Sequence, residues 1–191
     1  MSAAAAVDAP IGLDALNALD RDAFVARVGF AYEASPWVAE AAWERRPFAS
    51  VAHLRAALRR AVEEAPAERQ LALIRAHPDL ADRAAVAAGA LTPASRAEQT
   101  GAGLDRLAPD LHERLLRANA AYRERFGFPF VICVREHTAG AIVAHAERRL
   151  RNDARRERRV ALEEITKIAG LRLQAAVVDR EDSSCRSSTS R

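Results

Sequence analysis

Apolar residues recur three and four positions apart along most of this chain, the spacing that lays them down one face of an α-helix. Asp20 precedes Phe24, Val25 and Val28; Ser50 precedes Val51, Leu54, Leu58 and Val62; Leu71, Leu73 and Ile74 follow Pro66; Leu111, Leu115 and Leu116 follow Pro109. Asp20, Ser50 and Thr92 stand where N-caps are expected, and Ser35-Pro36 and Thr92-Pro93 each place a cap before an N1 proline. Gly89 and Gly127 stand where helices stop. Further helices are expected from Thr92 through Leu104, from about Ala139 to Asn152 and from about Arg155 to Ala176. The reading is an all-α fold, a single-domain bundle of about eight helices with one short extended segment.

That segment is "GFPFVICV", Gly127 to Val134, where the helical period stops. It is continuously apolar, rich in β-branched and aromatic residues, and prefaced by glycine and proline, so it reads as extended. One strand makes no sheet. Its backbone N–H and C=O groups must be satisfied by neighbouring loops or by a ligand.

With 191 residues the chain can bury one core without staples. The helical domain is expected over 11–176, after a flexible N-terminus at 1–10 and before a disordered polar tail at 177–191. Cys133 and Cys185 are far apart, which suggests neither a metal pair nor a secreted disulfide framework, and a cytoplasmic setting is the default. No apolar run approaches the roughly 18 residues of a membrane span, and the first ten residues lack the basic start of a signal peptide. The net charge of +3 is mildly basic. Seven arginines between Arg148 and Arg159 could bind phosphate, but no aromatic residue there offers base stacking. A solvated helix face with Asp153, Glu157 and Glu163 as partners is the simpler account, and nucleic acid is not the expected partner.

Four places could carry chemistry. If Leu73 and Ile74 point inward, His77 does too, at the end of the same helix, with Pro78 terminating it. It is either a locally bonded core histidine or an acid–base group. Ser95, Glu98 and Gln99 share one face of the helix that Thr92 opens, although Ser95 and Glu98 also fit a capping box. Arg172 falls on the apolar stripe of Ile165 and Ile168, so its guanidinium needs either a structural carboxylate or an anionic ligand. The extended segment is the fourth.

The stretches "SPWVAEAAWERRPFAS", "RAHPDLA", "LTPASRAEQTGAGLD", "FGFPFVICVREHT" and "ALEEITKIAGLRL" occur in that order. Together they resemble the 2-oxo-4-hydroxy-4-carboxy-5-ureidoimidazoline (OHCU) decarboxylases of urate breakdown, from about Leu13 to Leu173. The resemblance implies an all-α homodimer that uses neither metal nor organic cofactor. By its motifs His77, Glu98 and Arg172 are catalytic. Pro78, the stretch Ser95, Arg96, Ala97, Glu98 and Gln99, the segment Phe130, Val131, Ile132, Cys133 and Val134, and Arg172 hold the substrate. It also implies functional coupling to a 5-hydroxyisourate hydrolase. The implied chemistry is self-consistent: the carbon beside the carboxylated one belongs to a C=N group, so the substrate carries its own electron sink. The protein then has to orient, stabilise charge and manage protons, giving (S)-allantoin.

Overall fold

In the computed structural model, residues 9–82 and 91–179 are described. They form nine α-helices: α1 (Leu13–Ala18), α2 (Arg21–Val28), α3 (Pro36–Trp43), α4 (Val51–Glu64), α5 (Ala67–Arg75), α6 (Pro93–Gly101), α7 (Pro109–Phe126), α8 (Ala139–Arg149) and α9 (Ala154–Ala176). A pair of two-residue strands, β1 (Ile11–Gly12) and β2 (Val177–Val178), is the only sheet among the described residues. None of the described helices is long and apolar enough to cross a membrane.

The caps act through their side chains at three of the expected starts: Asp20 accepts from Ala23 N–H, Ser50 from His53 N–H and Thr92 from Ser95 N–H. Ser35 differs. It makes no cap bond, and Pro36 at N1 alone sets the start of α3. The helix expected from Thr92 through Leu104 stops at Gly101, because Gly103 takes a left-handed conformation (φ +71°) and Leu104–Arg106 forms a separate 3-10 turn. Leu116, read as part of an inward stripe, faces solvent. The helix end expected at Gly89 lies outside the described residues.

The packed chain also runs past the expected boundary at Ala176. Val177 is buried and pairs in parallel with Ile11, and Asp179 Oδ1 accepts from Val51 N–H at 2.6 Å. The start of the expected tail is thus a strand, and it is held because Val177 joins the apolar core and both valines have a ladder partner.

Two apolar clusters make the core. One gathers α1 to α5 against α9; the other gathers α7, α8 and the loops around Leu80 and Leu104. The extended segment lies between them. Gly127 ends α7 in the left-handed conformation (φ +71°), donating to Arg123 C=O, and Pro129 keeps the chain out of helix. Side chains then alternate: Phe130, Ile132 and Val134 enter the second cluster, Val131 and Cys133 the first. A period of two is what an extended backbone imposes, and it explains why every residue of the stretch is apolar.

With no neighbouring strand among the described residues, side chains take over the bonding. Arg149 Nη1 donates to Val131 C=O at 2.8 Å, and Cys133 N–H donates to Glu164 Oε2 at 2.8 Å. Arg149 was expected on a solvated face. It is buried instead, paired with the fully buried Glu157, which also accepts from Tyr122 and Asn152. The arginine cluster is therefore divided: one member braces the segment, Asp153 caps α9 and Arg159 pairs with Glu163.

Candidate active site

His77 sits just past α5, where its N–H reaches back to Ile74 C=O. The ring is 6% exposed. Nδ1 lies 2.9 Å from Leu73 C=O, an acceptor only, so Nδ1 carries the proton and Nε2 keeps its lone pair. Burial is the main influence and pushes its pKa below 6.5, outweighing the Leu73 bond and the nearby Glu33 and Glu98. At neutral pH His77 is an uncharged ring with an open acceptor.

The first turns of α6 supply the next groups. Because Thr92 is the cap, Ser95 is free of the capping-box role and turns inward with Glu98 and Gln99. Gln99 Oε1 accepts from Ala81 N–H at 3.0 Å, tying α6 to the chain just after His77. Arg96 and Ala97, expected in the substrate stretch, are exposed and do not line the cleft. Helical geometry is the reason: positions one and two past Ser95 point away from the face that holds 95, 98 and 99.

Arg172, from α9, meets these residues. Its Nε donates to Glu98 Oε1 and its Nη2 to Glu98 Oε2, each at 2.8 Å, a two-point fork. Nη2 also reaches Ser95 Oγ and Glu33 Oε1, each at 3.1 Å. Glu33 carried no signal in the sequence, yet it is 4% exposed and accepts from Arg172, Thr92 and Ser95. Burial alone would raise its pKa, but the Ser95 hydroxyl and the Arg172 guanidinium outweigh that and hold the carboxyl below its ordinary range. Arg172 is thus paired with carboxylates within the protein: two of them surround one guanidinium.

The extended segment forms the opposite wall. Its backbone edges alternate like its side chains. Val131 C=O and Cys133 N–H are taken by Arg149 and Glu164, whereas the N–H and C=O of Ile132 have no partner among the described residues. Burial and nearby Glu136 and Glu164 push the Cys133 thiol up to about 11, so it stays protonated and is no nucleophile.

These pieces line one cleft, whose empty space of about 460 Å³ includes its open mouth. His77, Pro78, Ser95, Glu98, Gln99, Phe130 to Val134 and Arg172 all line it, together with Leu80, Arg135, Ile168 and Leu171. Among the described residues no group of three or more His, Cys, Asp or Glu side chains is placed to hold a metal ion.

The sequence model of OHCU decarboxylase matches residues 17–174. The chain belongs to this family. Within the family, a 2-oxo-4-hydroxy-4-carboxy-5-ureidoimidazoline decarboxylase of Haloferax volcanii is 50% identical over 161 residues, covering 84% of this chain and 93% of that protein. A human relative, a putative decarboxylase of the same description, is 38% identical over 84% of this chain and 92% of its own length. Among solved structures, (S)-allantoin synthase superposes with a TM-score of 0.70 at 27% identity, over 87% of this chain. This chain spans about half (54%) of that one. An OHCU decarboxylase crystallised in the presence of (S)-allantoin has a TM-score of 0.61 at 19% identity and shares the family's fold.

Proposed function

We propose that this protein decarboxylates OHCU to (S)-allantoin in urate breakdown, using its own side chains and backbone. The observation that carries the reading is the convergence of His77, Glu98, Arg172 and the unpartnered Ile132 amide on one cleft. The N–H and C=O of Ile132 match the C=O and N–H of a cyclic urea, the way an added strand pairs with an edge. Glu98 and Gln99 face the hydroxyl and ureido groups. Arg172, its charge offset by Glu33 and Glu98, holds Glu98 in place, and Pro78 shapes the wall next to His77.

The C4–carboxylate bond breaks, its electron pair forms C4=C5, and the C5=N pair moves onto the ring nitrogen, which takes a proton from solvent. His77 Nε2 accepts the C4 hydroxyl proton as the ketone forms and returns it to C5. Delivery from one fixed nitrogen reaches one face of C5, which yields a single enantiomer. Positioning and charge stabilisation supply the rest of the acceleration.

The protein is expected to act as a homodimer and to receive its labile substrate from a 5-hydroxyisourate hydrolase. A relative in a Bacillus species, 37% identical and matched over 33% of its length, is a uric acid degradation bifunctional protein. The test is circular dichroism of freshly oxidised urate treated with that hydrolase, with and without this protein. Faster growth of an optically active allantoin signal supports the reaction; identical traces overturn it.

A further inference from the structure

The substrate proposed above is an anion, yet the inner part of the cleft offers it little positive charge. Glu33 and Glu98 already surround Arg172, whose Nε and Nη2 serve them and Ser95 while Nη1 reaches only Ala31 C=O at 3.4 Å, and His77 is uncharged. A carboxylate entering there meets two others.

Arg135 is placed differently. It lies in the 3-10 turn Val134–Glu136 that directly continues the extended segment, it lines the cleft, and it is exposed, so it stands at the open edge. The turn is held by Glu136 N–H donating to Cys133 C=O and His137 N–H to Val134 C=O. Neighbouring Glu136 is engaged by Lys167 at 3.4 Å, and the same ammonium holds Glu164 at 2.7 Å. Lys167, the chain's single lysine, thereby occupies the acid next to Arg135. The Arg135 side chain is left without a hydrogen-bond or ion-pair partner among the described residues.

We infer that Arg135 receives the substrate's carboxylate at the cleft mouth and distinguishes the anionic substrate from its uncharged product. The inference rests on the reaction proposed above. A planar fork suits a carboxylate, and an arginine open to water binds it without gripping it as a dry pocket would. With the carboxylate still attached as the bond begins to break, such a solvent-exposed contact is felt about equally by ground and transition states, so it lowers KM and leaves kcat nearly unchanged. Once carbon dioxide has left, nothing remains for the guanidinium to hold, and the neutral ring is released.

The experiment compares initial rates of wild type, Arg135→Lys and Arg135→Gln over a range of OHCU concentrations, with (S)-allantoin as a competing product. Arg135→Gln should raise KM about tenfold, as expected for losing one charge-assisted bond, with kcat within about twofold. The inhibition constant of allantoin should not change. Arg135→Lys should fall between, and added salt should raise KM for wild type but not for Arg135→Gln. An unchanged KM in Arg135→Gln overturns the inference, as does an allantoin constant that rises in step with KM. Wild-type protein inert on OHCU overturns the reaction itself, and the role of Arg135 with it. Matching melting curves exclude misfolding, since the residue is exposed.

Discussion

Arg172 and Glu98 are joined by two parallel hydrogen bonds of 2.8 Å, although 74 residues separate them in sequence. The pair links α9 to α6 and fixes Glu98 in the lining of the cleft. A lysine keeps the charge but cannot make both bonds. Arg172→Lys should therefore raise KM for OHCU, measured by initial rates, as Glu98 loses its fixed orientation. An unchanged KM would assign the fork to stability alone.

His77→Ala should retain the helical circular dichroism of the wild type and lose at least about a hundredfold in kcat, the low end for removing acid–base help. The product formed should also lose optical purity, because spontaneous protonation has no preferred face. Normal turnover by this variant would remove His77 from the chemistry.

Burial holds His77 below its ordinary pKa of 6.5, so the neutral, proton-accepting ring persists into mildly acidic solution. The kcat profile should show an acid limb with its midpoint below 6.5, absent from the residual activity of His77→Ala. The sign for stability agrees. As pH falls through 6.5 the unfolded chain takes up a proton before the folded one, so this histidine's contribution to stability declines from there downward. Denaturant midpoints across that window provide the check.

Glu33 stabilises the imidazolium form of His77 through its charge, against the larger effect of burial. Glu33→Gln removes the charge while keeping the shape. The acid limb should then move to still lower pH, an effect that a purely structural glutamate would not produce. A pH–rate profile of the variant reads this directly.

Glu157 is fully buried and neutralises Arg149, which in turn holds Val131 C=O. Removing one member of a buried ion pair leaves the other uncompensated, which costs about 3–5 kcal/mol. Glu157→Ala should lower stability by that amount in urea denaturation. A smaller loss would mean that water reaches Arg149.

Local rules accounted for much of this molecule. Helical spacing placed the all-α architecture, and the caps at Asp20, Ser50 and Thr92 act as their chemistry predicts. The same spacing turned His77, Ser95, Glu98, Gln99 and Arg172 inward, and all of them line the cleft. These are properties of a few neighbouring residues, because the helix repeats within one turn. Which charges meet is another matter. Glu33 reaches Arg172 across 139 residues from a short loop with no periodicity, and Arg149 becomes buried because Glu157 and an unladdered carbonyl both wait for it. Arg96 and Ala97 fall outside the cleft once Thr92 sets the phase of α6. Only the packed arrangement selects such partners, since a buried charge or backbone group must be satisfied by whatever the fold brings near, however distant along the chain.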